Sequence, residues 1–212
     1  SLGYASLGAN TIGGENVAVG DAALLSNTEG NKNTAVGQSA LSSVTTGDNN
    51  TAVGHSALKV NTGNYNVAVG YQAADNNTTG SVTAVGYNAG GNNTTGTVTA
   101  IGNSALGANT SGLSNTAVGA SALGVNSGTS AHYNTAVGNS SLGANTTGSQ
   151  NTAVGHDALD DNTTGLYNVA MGSNALSKIT TASNCTAVGS AALALNTAGN
   201  NTAVSYTHLT LP

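Results

Sequence analysis

The sequence lacks phenylalanine, tryptophan and arginine, and it has one cysteine and one proline in 212 residues. Charged residues make up 5% of the chain, whereas an average domain has about 25%. Glycine, asparagine, threonine, alanine and serine fill most of the remaining positions. This composition excludes a large aromatic core and a charged surface, so solubility has to come from side-chain amides and hydroxyls.

The scarcity of basic residues limits the partners of the chain. The three lysines, Lys32, Lys59 and Lys178, are far apart in sequence and the net charge is −5, so we expect no nucleic acid and no anionic membrane as a partner. No run of about 18 apolar residues occurs, and we therefore expect no membrane insertion. The lone Cys185 cannot form an intrachain disulfide, and we expect it to fill a position that suits Ser or Thr.

In place of these features the sequence has an internal repeat. A glycine that ends motifs of the type Asn-Thr-Ala-Val-Gly recurs every 16 to 19 residues, and we call it the anchor of each unit. The anchors are Gly3, Gly20, Gly37, Gly54, Gly70, Gly86, Gly102, Gly119, Gly138, Gly155, Gly172 and Gly189, with Ser205 next. Because no linker interrupts the units, the sequence predicts one repeat domain over residues 1–205.

The two ends of the sequence depart from this regularity. Residue 1 already falls inside a repeat, which indicates a piece of a longer protein. Residues 206–212 abandon the pattern and resemble translated sequencing-adapter text, so we expect an artefact there and leave His208 out of every site.

Units of 16 or 17 residues are too short for a pair of helices, and their two glycines and many Asn and Thr residues disfavour helix. They suit one coil of a parallel β-solenoid with two or three short strands and tight corners. The predicted fold class is therefore all-β, a β-roll of about twelve coils. At a rise of about 4.8 Å per coil, twelve coils would form a rod of roughly 58 Å.

The repeat also predicts which side chains are buried. Val53, directly before the anchor, and Thr51, three before it, lie on one face of a strand by period-two alternation, and we expect that face to be the core. Ala52 lies between them and its equivalents are all Ala, which predicts a closely covered outer face. We expect Leu58 and the turn residue Asn61 to point inward, because equivalents of Asn61 include Val and Ile.

Glycine occupies two fixed points in the unit, at anchors such as Gly54 and at the end of Asn-Thr-Thr-Gly turns, as at Gly80. We expect both to supply corners with positive φ.

These motifs resemble the head repeats of trimeric autotransporter adhesins of the YadA type. They are also similar to the "NTAIG…AL…NTTG" arrays of fibre proteins from phages and environmental bacteria. The resemblance covers residues 1–205 and implies a left-handed parallel β-roll that assembles as a homotrimer in an extracellular fibre. The adhesin heads more often use units of about fourteen residues, which is a departure from the present pattern.

Candidate chemistry is sparse. His55 and His156 follow anchors six coils apart, about 29 Å at the assumed rise, so they cannot share a metal ion or a proton. Asp160 and Asp161 form the one acidic pair; a solvated turn is favoured there over a weak Ca²⁺ contact. We expect no catalytic residue, no metal and no cofactor. The longest unit could carry a surface loop at His132 and Tyr133.

The sequence therefore favours a non-enzymatic structural protein, a segment of an extracellular fibre or filament on a cell or virion surface. Its expected partner is itself, as a homotrimer, an end-to-end filament, or both. The alternatives are an adhesin or glycan-binding head module that contacts a cell-surface glycan or protein, and an ice-binding protein. Clustered aromatic side chains on one face would favour the glycan-binding alternative.

Overall fold

The computed structural model describes residues 1–128 and 130–204. Thr129, Ser205 and the predicted non-repeat tail, residues 206–212, lie outside the described residues. The described part is all-β, with twelve short strands in one parallel sheet whose order follows the chain. The strands are β1 Val17–Val19, β2 Thr34–Val36, β3 Thr51–Val53, β4 Val67–Val69, β5 Val82–Val85, β6 Val98–Ile101, β7 Asn115–Val118, β8 Thr135–Val137, β9 Thr152–Val154, β10 Val169–Met171, β11 Thr186–Val188 and β12 Thr202–Val204.

Neighbouring strands pair with equivalent residues of the repeat in register. Ala35 pairs with Ala52, for example, and Val36 pairs with Val53. Leu2 extends the pairing by one isolated bridge to Val19. The predicted β-solenoid is thus confirmed, although each coil has one strand of three or four residues where two or three strands were predicted. The rest of each coil consists of turns and bends.

The two faces of the strands are the reverse of the prediction. Ala52 is fully buried, whereas Val53 on the same strand is 36% exposed. The interior of the coil is already occupied by the inward leucines and asparagines, so the central position of the strand has room for only a methyl group. The larger Val and Thr side chains therefore face outward, and the constant Ala marks the inside of the coil.

The other predicted core positions are confirmed. Leu58 and Asn61 are both fully buried, and so are the equivalent leucines from Leu106 to Leu176, whereas Leu193 in the last complete coil is partly buried. These Leu residues adopt the left-handed conformation, with φ between 48° and 55°, which is unfavourable for a residue with a side chain. It allows the Leu N–H to donate to a carbonyl of the next coil, as from Leu41 to Ala57 and from Leu123 to Ser141, both at 3.0 Å.

The glycine prediction is confirmed at one of its two positions. Gly54 has a φ of 132°, and a Cβ there would lie 2.6 Å from the carbonyl carbon of Gly70 in the next coil. Gly80, at the end of a turn, does not have positive φ; a Cβ there would lie 2.7 Å from Asn77 Oδ1. Turn glycines are thus required by close packing on the asparagine and on the glycine carbonyl of the next coil. The positive-φ positions are the anchor glycines together with residues that have side chains, such as Leu58.

Candidate functional site

The inside of the solenoid carries a column of asparagines that we call the turn ladder. Its members are Asn27, Asn61, Asn77, Asn93, Asn109, Asn126, Asn145 and Asn162, all fully buried. Wherever the preceding coil also has asparagine, Nδ2 donates to the Oδ1 of that asparagine, as from Asn93 to Asn77 at 2.9 Å and from Asn109 to Asn93 at 2.7 Å. A carboxamide both donates and accepts, so a stack of them satisfies itself within the core.

The turn ladder is interrupted where Val44 and Ile179 replace asparagine. The preceding members, Asn27 and Asn162, each have a buried Oδ1 without a hydrogen-bond partner among the described residues. An unsatisfied buried acceptor costs about 1–3 kcal/mol. The two substitutions thus exchange ladder hydrogen bonds for apolar burial.

A second column, the strand-start ladder, precedes the strands. Its members include Asn33, Asn50, Asn66, Asn134, Asn151 and Asn168, which are all buried. Here the donor to each Oδ1 is a backbone N–H of the next coil, as from Asn50 to Asn33 at 2.9 Å. Cys185 occupies this column and its N–H donates to Asn168 Oδ1 at 2.9 Å. Since the donor is backbone, replacing an asparagine leaves the preceding Oδ1 satisfied.

The outside of the sheet carries an uninterrupted line of aliphatic side chains that we call the apolar file. It consists of Val19, Val36, Val53, Val69, Val85, Ile101, Val118, Val137, Val154, Met171, Val188 and Val204. Within the file Val53 is 36% exposed and Met171 is 44% exposed. No charged residue lies in the file, so a strip one side chain wide is apolar along the whole described length of the rod.

The first predicted histidine belongs to an aromatic stack. The rings of His55 and Tyr71 are 5.0 Å apart at an interplanar angle of 11°, and those of Tyr71 and Tyr87 are 5.5 Å apart at 6°. The three residues directly follow anchors in consecutive coils, so the coil rise sets the ring spacing. Their succession at one repeat position was the signal for this stack, which the sequence reasoning missed. Its ring faces contact one another, leaving mainly ring edges for a ligand.

The second predicted histidine lies in a small charged cluster elsewhere. His156 Nδ1 is 3.1 Å from Asp157 Oδ2, and Lys178 Nζ is 2.9 Å from Asp161 Oδ2. Burial raises the pKa of Asp160, and the neighbouring Asp157 and Asp161 carboxylates raise it further. The hydrogen bond to Asp161 raises the pKa of Lys178. The described residues contain no group of three or more His, Cys, Asp or Glu suited to a metal ion.

The longest coil places the two predicted loop residues differently. His132 is half-buried and its Nδ1 accepts a hydrogen bond from the Leu113 N–H at 2.9 Å. Tyr133 is 61% exposed and its N–H donates to the Leu113 carbonyl at 3.0 Å. Both residues therefore bond to the preceding coil, His132 through its ring and Tyr133 through its backbone, and the Tyr133 ring is exposed.

No helix in residues 1–128 and 130–204 is long and apolar enough to cross a bilayer. Comparisons with protein-family models, with curated proteins and with solved structures find no match to this chain.

Proposed function

We propose that the chain is a non-enzymatic structural segment of an extracellular fibre or filament, such as a bacterial surface appendage or a phage fibre shaft. The proposal draws on the resemblance of the repeats to YadA-type heads and fibre arrays. The single observation that carries it is the apolar file, which continues through twelve coils on the outside of a solenoid whose interior is already filled.

The inner ladders account for the stiffness that a fibre requires. Each coil bonds to the next through backbone pairs and through asparagine side chains such as Asn93 and Asn109. No coil can bury its own Leu and Ala residues without neighbours above and below, so stability is shared along the stack. The outcome is a rod that presents few charges and few flexible side chains.

The apolar file accounts for lateral association. Monomeric proteins rarely expose a contiguous apolar patch larger than a few hundred Å². The apolar file is a contiguous line of aliphatic side chains roughly 50 Å long at the usual strand spacing, which favours its burial against a partner. A second copy of the chain has aliphatic side chains at the same rise and can match the file along its length. A homotrimer is the assembly proposed, because the repeats resemble trimeric heads.

Negative-stain electron microscopy of the purified chain tests the proposed function. We expect rods of uniform width, with the length of the coil stack or of several stacks end to end. Globular particles of monomer size across the whole accessible concentration range would contradict the proposal.

A further inference from the structure

Three consecutive coils differ from the others at the start of their strands. Val82 and Val98 stand where most coils have a strand-start asparagine, and β5, β6 and β7 begin one residue earlier than the other strands. Val82 pairs with Val98, and Val98 pairs with Asn115. Replacing the asparagine by a β-branched residue thus converts a side-chain hydrogen bond into an additional step of the β-ladder.

The residues before β5 and β6 change conformation as well. Tyr65 and Tyr133 have φ values of 61° and 58°, whereas Ser81 and Thr97, at the equivalent positions, do not have positive φ. The extended backbone and the small side chains leave an open cavity of about 370 Å³ over the buried Val82 and Val98. We call this cavity the hydroxyl trough. Its hydroxyl groups come from Ser81, Thr83, Thr97, Thr99, Ser114 and Thr116.

An exposed tyrosine lines one end of the trough, and a second lies one coil beyond its other end. Tyr65 lines the cavity and is 75% exposed. Tyr133 is 61% exposed and holds the equivalent position in the coil after Ser114. The two tyrosines are four coils apart, which is about 19 Å at the usual strand spacing. A ligand that follows the rod axis can therefore contact both rings and the hydroxyl groups between them.

The chemistry of the trough selects the class of ligand. None of its six hydroxyl side chains makes a hydrogen bond to another described residue, so all six are free to donate and accept. No charged residue lines the cavity, which disfavours phosphate, sulfate and carboxylate groups as the recognised feature. The strands beneath it are paired on both sides, so an extended peptide finds no free edge for added β-pairing.

We propose that the hydroxyl trough binds a short neutral oligosaccharide in an extended conformation. Sugar hydroxyls match the six Ser and Thr hydroxyls, and the Tyr65 and Tyr133 rings pack against the C–H faces of the terminal sugars. The trough lies at the start of the strands and the apolar file lies at their ends, so the site goes beyond the proposed fibre role and does not depend on it.

The test uses the purified chain and a panel of soluble neutral tetrasaccharides of glucose, galactose, mannose and N-acetylglucosamine, with sialylated and sulfated oligosaccharides alongside. Isothermal titration with Tyr65→Ala is expected to show about a tenfold weaker affinity for the neutral oligosaccharide bound. Thr99→Val, which exchanges one hydroxyl for a methyl of similar shape, is expected to weaken it several-fold. The matched controls are Tyr167→Ala and Thr152→Val, at the same repeat positions outside the trough, and both are expected to keep full affinity.

Circular dichroism melting verifies that every variant is folded. Binding to none of the neutral tetrasaccharides overturns the proposal, and so does binding that Tyr65→Ala and Tyr167→Ala weaken equally. A preference for the charged oligosaccharides overturns it too. The mass of the chain in solution is measured in parallel, so a failure of this site is distinguished from a failure of the proposed assembly.

Discussion

The two faces of each strand obey different constraints, although they alternate within three residues. On the inside, the central position is Ala from β1 to β12, and Ala153 in β9 is fully buried. On the outside, Thr152 and Val154 are partly exposed, and equivalent positions also hold Val, Ile or Met. The inward strand position is therefore restricted to Ala, whereas the outward positions hold several residue types with apolar or hydroxyl side chains.

This difference separates folding from assembly. The inner face fills a cross-section that has no spare volume, so its residues decide whether one coil stacks on the next. The outer face adds little to the stability of a single stack, because its side chains remain partly in contact with water. Changes on the two faces should therefore have different consequences, and the following variants test that separation.

The largest effect is expected from enlarging the inner face. In Ala153→Leu the added carbon atoms meet Ala136 and Ala170 of the adjacent coils, which pair with Ala153 in register. Overpacking of this kind should lower the free energy of unfolding by about 3 kcal/mol. Urea unfolding followed by circular dichroism measures the change.

Val154→Leu is the matched control on the outer face of the same strand. It should change the free energy of unfolding by less than about 0.5 kcal/mol, since the side chain extends toward solvent. Equal losses for the two variants would show that the faces do not differ in the way described.

An intermediate effect is expected from breaking the turn ladder. Asn109→Val removes the donor to Asn93 Oδ1 and the acceptor for Asn126 Nδ2. Asn93 Oδ1 is then left without a donor and Asn126 Nδ2 keeps only the Ala131 carbonyl at 3.5 Å, which should destabilise the chain by about 2 kcal/mol. Thermal and urea unfolding measure the loss.

The reverse change, Val44→Asn, serves as the control for the ladder. It supplies a donor for the unsatisfied Asn27 Oδ1 and loses the burial of one valine, so its net effect should be within about 1 kcal/mol. If Asn109→Val proves as mild as Val44→Asn, the ladder does not contribute to stability as proposed.

The smallest effect on stability is expected at Asp160, which directly follows the inward Leu159. Burial and two neighbouring carboxylates raise the pKa of Asp160 above 3.8, so between 3.8 and the raised pKa the folded chain binds more protons than the unfolded chain. The free energy of unfolding should therefore decrease as the pH rises through this window. Asp160→Asn should flatten that part of the pH profile, and an unchanged slope would contradict the assignment.

The sequence was sufficient for the fold because the period, the two glycines and the constant positions all agree on a solenoid. It also located Leu58 and Asn61 in the core, since equivalents of Asn61 include Val44 and Ile179. The assignment of Val53 to the core was wrong because size was taken as the sign of burial. In a narrow coil the constant small residue Ala52 occupies the inside, and only the cross-section of the coil reveals this.

The aromatic stack and the hydroxyl trough are each formed by residues of consecutive coils, so the sequence of a single repeat unit does not show them. The aromatic stack arises because His55, Tyr71 and Tyr87 occupy one repeat position in consecutive coils. The hydroxyl trough arises because Val82 and Val98 lengthen their strands. Aligning the units and following each position along the array would have found both groups of residues, but the open cavity depends on the backbone change.

The apolar file is central to this account, and the mass of the chain in solution tests its role most directly. Sedimentation velocity should give the unmodified chain a multiple of the 20.3 kDa monomer mass. Val118→Lys, which places a charge in the middle of the file, should sediment as a folded monomer. Ala120→Lys, which adds the same charge at an exposed position outside the file, should retain the assembled mass. An unmodified chain at 20.3 kDa, or a Val118→Lys variant that keeps the assembled mass, would contradict the account.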